Sequence, residues 1–139
     1  MRIKTIKIYW SYPILYANIF SSNKTNEKGI YYLSRKFGDK ETLLYIGKTN
    51  NSFYNRLYSH KDWLNEYRGM VFVRFGIIVS PKTYDDSIIT DVESALIYEM
   101  KPFENTDKVN GYHYLNECEI INTGYKGLLP PVISMRNQI

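Results

Sequence analysis

Glu93 is the carboxylate whose placement asks most of the fold. Ile89 lies four residues before it, and Leu96 and Ile97 lie three and four after it, so in a helix all four share one side. An ionised carboxylate beside a core costs several kcal/mol unless a cation, hydrogen bonds or a bound metal compensates it. Glu93 is therefore either an acid at the edge of an apolar stripe that reaches solvent, or a functional group. Arg56 and His60 are four residues apart and stack on one helical face. The plain reading of Arg56 is a flank residue with a packed stem, and that of His60 a hydrogen-bonded core histidine. Lys48 follows Gly47 where a strand gives way to a turn, a place where sites are displayed and where a solvated lysine is equally ordinary.

Composition narrows the chemistry. The chain has 139 residues, 44% of them apolar, which suits one domain. Its 18 Lys and Arg against 14 Asp and Glu leave a formal charge of +4, which by itself names no partner. One cysteine, Cys118, and two histidines, His60 and His113, exclude a disulfide framework and a structural zinc module, so any metal would be oxygen-bound. Cys118 is most simply a small buried apolar group. No apolar run approaches a membrane span and the start lacks a signal-peptide core, which argues against a membrane partner and for a cytoplasmic location. The 14 tyrosines are mostly packing residues, though their hydroxyls can titrate or hydrogen-bond inside a core.

Changes of hydrophobic period place these residues on elements. Arg2 to Ser11, with Ile6, Ile8 and Trp10 at a spacing of two, predicts a strand. Ser21 to Lys28 is polar and predicts a loop. Gly29 to Arg35 and Thr42 to Lys48 predict a hairpin that turns at Phe37 to Lys40. From Asn51 or Ser52, either of which can cap, Phe53, Leu57, His60, Leu64 and Tyr67 mark one face of a helix ending near Gly69. Met70 to Ser80 predicts a central strand stopped by Pro81, and Asp86 or Ser87 to Met100 a second helix ended by Pro102. The remainder, Phe103 to Ile139, is expected to be mainly irregular, with a short strand near Glu119 to Asn122. Strands interleaved with two helices predict a small α/β (α+β) sandwich.

Gly29, Ile30 and Tyr31, followed by Tyr45, Ile46 and Gly47, stand in order on two paired strands. After them come Lys48 and Thr49, then Phe53, Arg56, Leu57 and His60 on a helix, then Glu93 on the next helix, and Pro102 with Asn105. In these features the chain resembles the GIY-YIG nucleases over Gly29 to Asn105. The resemblance implies a small three-stranded antiparallel sheet flanked by helices, here with an extra N-terminal strand and an irregular tail. On this basis 1–28 is an N-terminal extension, 29–105 the nuclease-like core and 106–139 a C-terminal extension packed on it, within a single domain. The segment between Tyr31 and Tyr45 is longer than is usual for the family, which puts the geometry of the turn in question.

The implied activity is metal-dependent DNA cleavage of the restriction, phage or mobile-element kind. By resemblance Glu93 binds the metal, Mg2+ or Mn2+, Arg56 meets the scissile phosphate, and Tyr31 and Tyr45 are the motif tyrosines. His60, Lys48 and Asn105 resemble residues that some members carry at these places. Hydrolysis needs an activated water and stabilisation of developing negative charge. One carboxylate suffices for magnesium, which keeps several waters, and Arg56 supplies a planar fork for phosphate. Tyr31 is the favoured general base, provided that nearby cations lower its pKa; Tyr45 would position water or phosphate, and His60 could donate to phosphate or be the base itself. Asn105 is expected to hold a catalytic or backbone group in place. One site cuts one strand, so double-strand cleavage would take a homodimer or two successive nicks. The alternative is a non-catalytic nucleic-acid-binding module that keeps the fold and stacks bases on its tyrosines.

Overall fold

The computed structural model describes residues 3–21, 28–49 and 53–138. Its strands are β1 (Lys4–Trp10), β2 (Ile14–Leu15), β3 (Gly29–Phe37), β4 (Lys40–Thr49), β5 (Met70–Ser80), β6 (Cys118–Gly124) and β7 (Val132–Ser134). The α-helices are α1 (Phe53–Tyr58), α2 (Lys61–Leu64) and α3 (Asp86–Met100). All the strands share one sheet in the order β4-β3-β5-β1-β6-β7, with β2 also on β5. The fold is α+β, but the small three-stranded sheet is a correction: β4, β3 and β5 are antiparallel neighbours within a larger mixed sheet.

The physical reason lies in β5. A strand this apolar must pair along both edges, because buried backbone polar groups need partners. β3 takes one edge along Met70 to Gly76, so β1 and β2 take the other. β1 thus sits inside the sheet, with Ile6, Ile8 and Trp10 fully buried, and β6 runs parallel to it. The tail is therefore not mainly irregular, a second correction; the short strand expected at Glu119 to Asn122 is the middle of β6. Buried Asn122 ties the tail down. It accepts from the Trp10 indole N–H at 2.9 Å and donates to the Pro130 carbonyl at 2.9 Å, which leaves no polar atom of that pair without a partner. Cys118 is buried as expected, and burial pushes its thiol up to about 11.

The two faces of the sheet carry different helices. Ile30, Tyr32 and Ile46 pack under Val92, Leu96 and Ile97 of α3. Tyr31, Leu33, Val73 and Phe75 pack under Phe53, Leu57 and Leu64 of α1 and α2. The Asp85 carboxylate caps α3 by accepting from the Ser87 N–H, and the left-handed Lys101 before Pro102 ends it. The single helix expected from Asn51 to Gly69 is broken, a third correction. The Ser59 hydroxyl donates to the Arg56 carbonyl at 2.6 Å, a local bond that competes with helix continuation. The 3.6-residue spacing still buries Phe53, Leu57, His60 and Leu64 on one side. The caps Asn51 and Ser52, and most of the polar loop, lie outside the described residues. Among the described residues no helix is long and apolar enough to cross a membrane.

Candidate active site

The site is organised by the edge strand β4. Tyr31 on β3 faces Gly47 on β4, and a Cβ at position 47 would overlap the Tyr31 hydroxyl and the Tyr45 ring. This glycine is needed for close approach, because it lets a phenol lie across the neighbouring strand. Gly29 differs in having a φ of +145°, with the Gly76 carbonyl oxygen standing where a Cβ would have to go, so both its conformation and its space exclude a side chain. The extra length between Tyr31 and Tyr45 is absorbed by extending the hairpin to Phe37 and Lys40 and by a bulge at Leu44, where the register shifts. The bulge turns Leu44 and Tyr45 to the same face, whereas strict alternation would put Leu43 there.

Beyond β4 lies a cleft of about 450 Å³ lined by Tyr45, Lys48, Arg56, Glu93, Asn105 and Lys108, with Thr49, Ile97 and Asp107 completing its wall. α1 and α3 cover opposite faces of the sheet, yet Arg56 and Glu93 meet here because both reach round the edge strand. Five of the seven candidate residues line this cleft. The other two, Tyr31 and His60, are buried behind it, with ring centroids 6.3 Å and 4.8 Å from that of Tyr45.

Hydrogen bonding assigns the His60 tautomer. The Trp63 indole N–H can only donate, and it points at Nδ1 from 3.2 Å. Burial, followed by the Arg56 charge, lowers the His60 pKa from 6.5 to about 4, so the ring is neutral at pH 7. Its proton is thus on Nε2, which donates to the Tyr31 hydroxyl at 2.8 Å. The Arg56 guanidinium is also close enough to both tyrosine hydroxyls to act on them by charge and hydrogen bonding. The donors around Tyr31 favour its anion, but burial outweighs them and its pKa is raised; burial raises that of Tyr45 as well.

These shifts make a prediction. Nitrogen-15 NMR of the His60 ring is expected to show an Nε2–H tautomer that resists protonation until the pH approaches about 4. Between the unfolded value of 6.5 and that point only the unfolded chain gains the proton, so stability falls as pH falls through this window and levels off below it. A His60→Gln variant should lose that portion of the pH dependence. A His60 midpoint near 6.5 would refute the assignment.

Glu93 is buried, and Oε1 accepts from the Lys108 ammonium at 2.8 Å in an ion pair. The carboxylate is thus already compensated by a cation, as its position on α3 requires. Among the described residues no group of three His, Cys, Asp or Glu gathers to form a closed metal cage. The donor chemistry still fits a hydrated magnesium ion, because one carboxylate with Asp107 on the same wall offers oxygen ligands and leaves room for water and phosphate. Asn105 positions backbone: its Oδ1 accepts from the Ile46 N–H at 2.9 Å, and its Nδ2 donates to the Ile46 carbonyl at 3.0 Å. With Glu104 N–H donating to the Leu44 carbonyl at 2.7 Å, this clips residues 103–105 along the free edge of β4 and so covers it.

Sequence reasoning missed Lys108 and Trp63. Lys108 lies past the segment that carries the resemblance, and nothing in its neighbours marks it. Trp63 sits three residues after His60, a helical spacing that could have been noticed. Comparison with known proteins finds no family model, no curated relative and no solved structure that matches the chain.

Proposed function

We propose that the protein is a metal-dependent endonuclease that hydrolyses phosphodiester bonds of DNA at the cleft beside β4, acting in the cytoplasm. The observation that carries this reading is the gathering of Arg56, Lys48, Tyr45 and Glu93, drawn from three separate elements, in one cleft with Tyr31 and His60 directly behind. Arg56 gives the phosphate two parallel donors, and Lys48 adds a point charge. Glu93 and Asp107 would hold a magnesium or manganese ion, which supplies Lewis-acid stabilisation of the developing charge. His60 does not accept the water's proton, since its Nε2 is already protonated and its Nδ1 faces Trp63. Tyr31 or Tyr45 could accept it only as a phenolate, the form that burial disfavours in this cleft and that the expected lowering of the Tyr31 pKa would have supplied. Tyr45 meets the cleft directly, while Tyr31 stands behind it with donors on its oxygen. His60 orients Tyr31, and Asn105 holds the strand that carries Tyr45.

A second reading, a non-catalytic nucleic-acid-binding module, is favoured by one observation: Glu93 is already neutralised by Lys108. Incubation of the purified protein with supercoiled, linear and single-stranded DNA separates the two. The endonuclease converts supercoiled plasmid to nicked or linear product in magnesium and stops when EDTA is added. Binding without cutting on every substrate, with either magnesium or manganese, decides for the module.

A further inference from the structure

We infer that Lys108 is a resident counter-ion of Glu93 that competes with a divalent cation for the carboxylate, so that metal binding is weakened while the ammonium is in place. The inference rests on the nuclease reading for the identity of the incoming cation, but its geometry is independent of that reading.

A carboxylate as buried as Glu93 cannot stand unpaired at low cost, and the only cation bonded to it among the described residues is the Lys108 ammonium at 2.8 Å from Oε1. A metal–carboxylate bond to the same oxygen is about 2.1 Å for magnesium. Lys108 occupies Oε1, and a metal ion on either oxygen of the same carboxylate is repelled by the ammonium beside it, so the two cations compete for Glu93. Lys108 is built to be replaceable. Its side chain is 22% exposed, against 9% for Glu93, and it rises from an irregular segment instead of the helix.

The displaced ammonium stays within the cleft. Its charge already acts on Tyr45, and Arg56 and Lys48 line the same walls. Three cations and a metal ion then face one another, an arrangement that an incoming phosphate relieves. Metal and DNA phosphate should therefore each favour the binding of the other, with Lys108 as the coupling group.

The test is direct binding of Mn2+ without DNA, followed by electron paramagnetic resonance of the free ion. Lys108→Met is expected to bind Mn2+ about tenfold or more tightly than the parent, the equivalent of one partly exposed ion pair. The gain should vanish in the Glu93→Gln/Lys108→Met double variant. Lys108→Gln, which removes the charge but keeps a donor for Oε1, should show most of the gain and guards against misfolding of the Met variant. Equal or weaker Mn2+ binding by both single variants, each folded by thermal melting, overturns the inference. If DNA is never cut while Mn2+ binding follows the expected order, the nuclease reading fails and the Lys108 exchange stands.

Discussion

Glu93→Gln is expected to lower magnesium-dependent cleavage by roughly a thousandfold, about 4 kcal/mol of lost transition-state stabilisation, while DNA binding in EDTA, with no divalent cation to couple to it, changes by less than about threefold. The reasoning starts from the ion pair. Glutamine keeps an oxygen that can accept from the Lys108 ammonium, so the contact now made at 2.8 Å survives as a neutral hydrogen bond and the fold is spared. What disappears is the negative charge, without which a hard cation has no anionic ligand on α3. Phosphate attraction depends mainly on Arg56 and Lys48, which the substitution leaves in place. Plasmid nicking and fluorescence anisotropy on the same preparation separate the two effects. A variant that cuts within tenfold of the parent would remove Glu93 from the chemistry.

Gly47→Ala carries the largest expected effect on stability. The added methyl would overlap the Tyr31 hydroxyl and carbon and the nearest ring carbon of Tyr45, and Tyr31 is fully buried with Phe53 and Phe75 around it. Relief requires the phenol to move, which breaks its bond to His60 Nε2 and leaves a buried donor without a partner. Overpacking of this kind costs about 1–3 kcal/mol and the orphaned donor a similar amount, so a loss of about 3 kcal/mol is expected. For a chain of this length that lowers the melting temperature by roughly 10 °C. Combining Gly47→Ala with Tyr31→Phe removes the hydroxyl but not the ring, and should recover about 1 kcal/mol in urea unfolding. A Gly47→Ala protein as stable as the parent would show that Tyr31 does not cross β4 in the way described.

The local elements were legible where the period was strong. Met70–Ser80 and Asp86–Met100 carry their own signals in a largely apolar run, a helical apolar spacing and a terminating proline after each, and the structure reproduces both spans. The helix after Asn51 was legible only by its buried face. Its break depends on a bond from the Ser59 hydroxyl to the Arg56 carbonyl, which competes locally and leaves the 3.6-residue spacing untouched. The size of the sheet was not legible from the core motif, because strand pairing between β1 and β6 joins residues more than a hundred positions apart.

For the site the division is similar. The amino-acid order alone put Tyr31, Tyr45, Arg56 and Glu93 on definite elements and ruled out thiolate metal chemistry, since residue types and their short-range spacing are properties of the chain itself. The folded molecule alone decided that helices on opposite faces meet around β4, that a bulge at Leu44 aims Tyr45, and that Lys108 sits on Glu93. Those outcomes depend on which strand is left at the sheet edge and on through-space charge pairing, and neither is encoded within any window of consecutive residues.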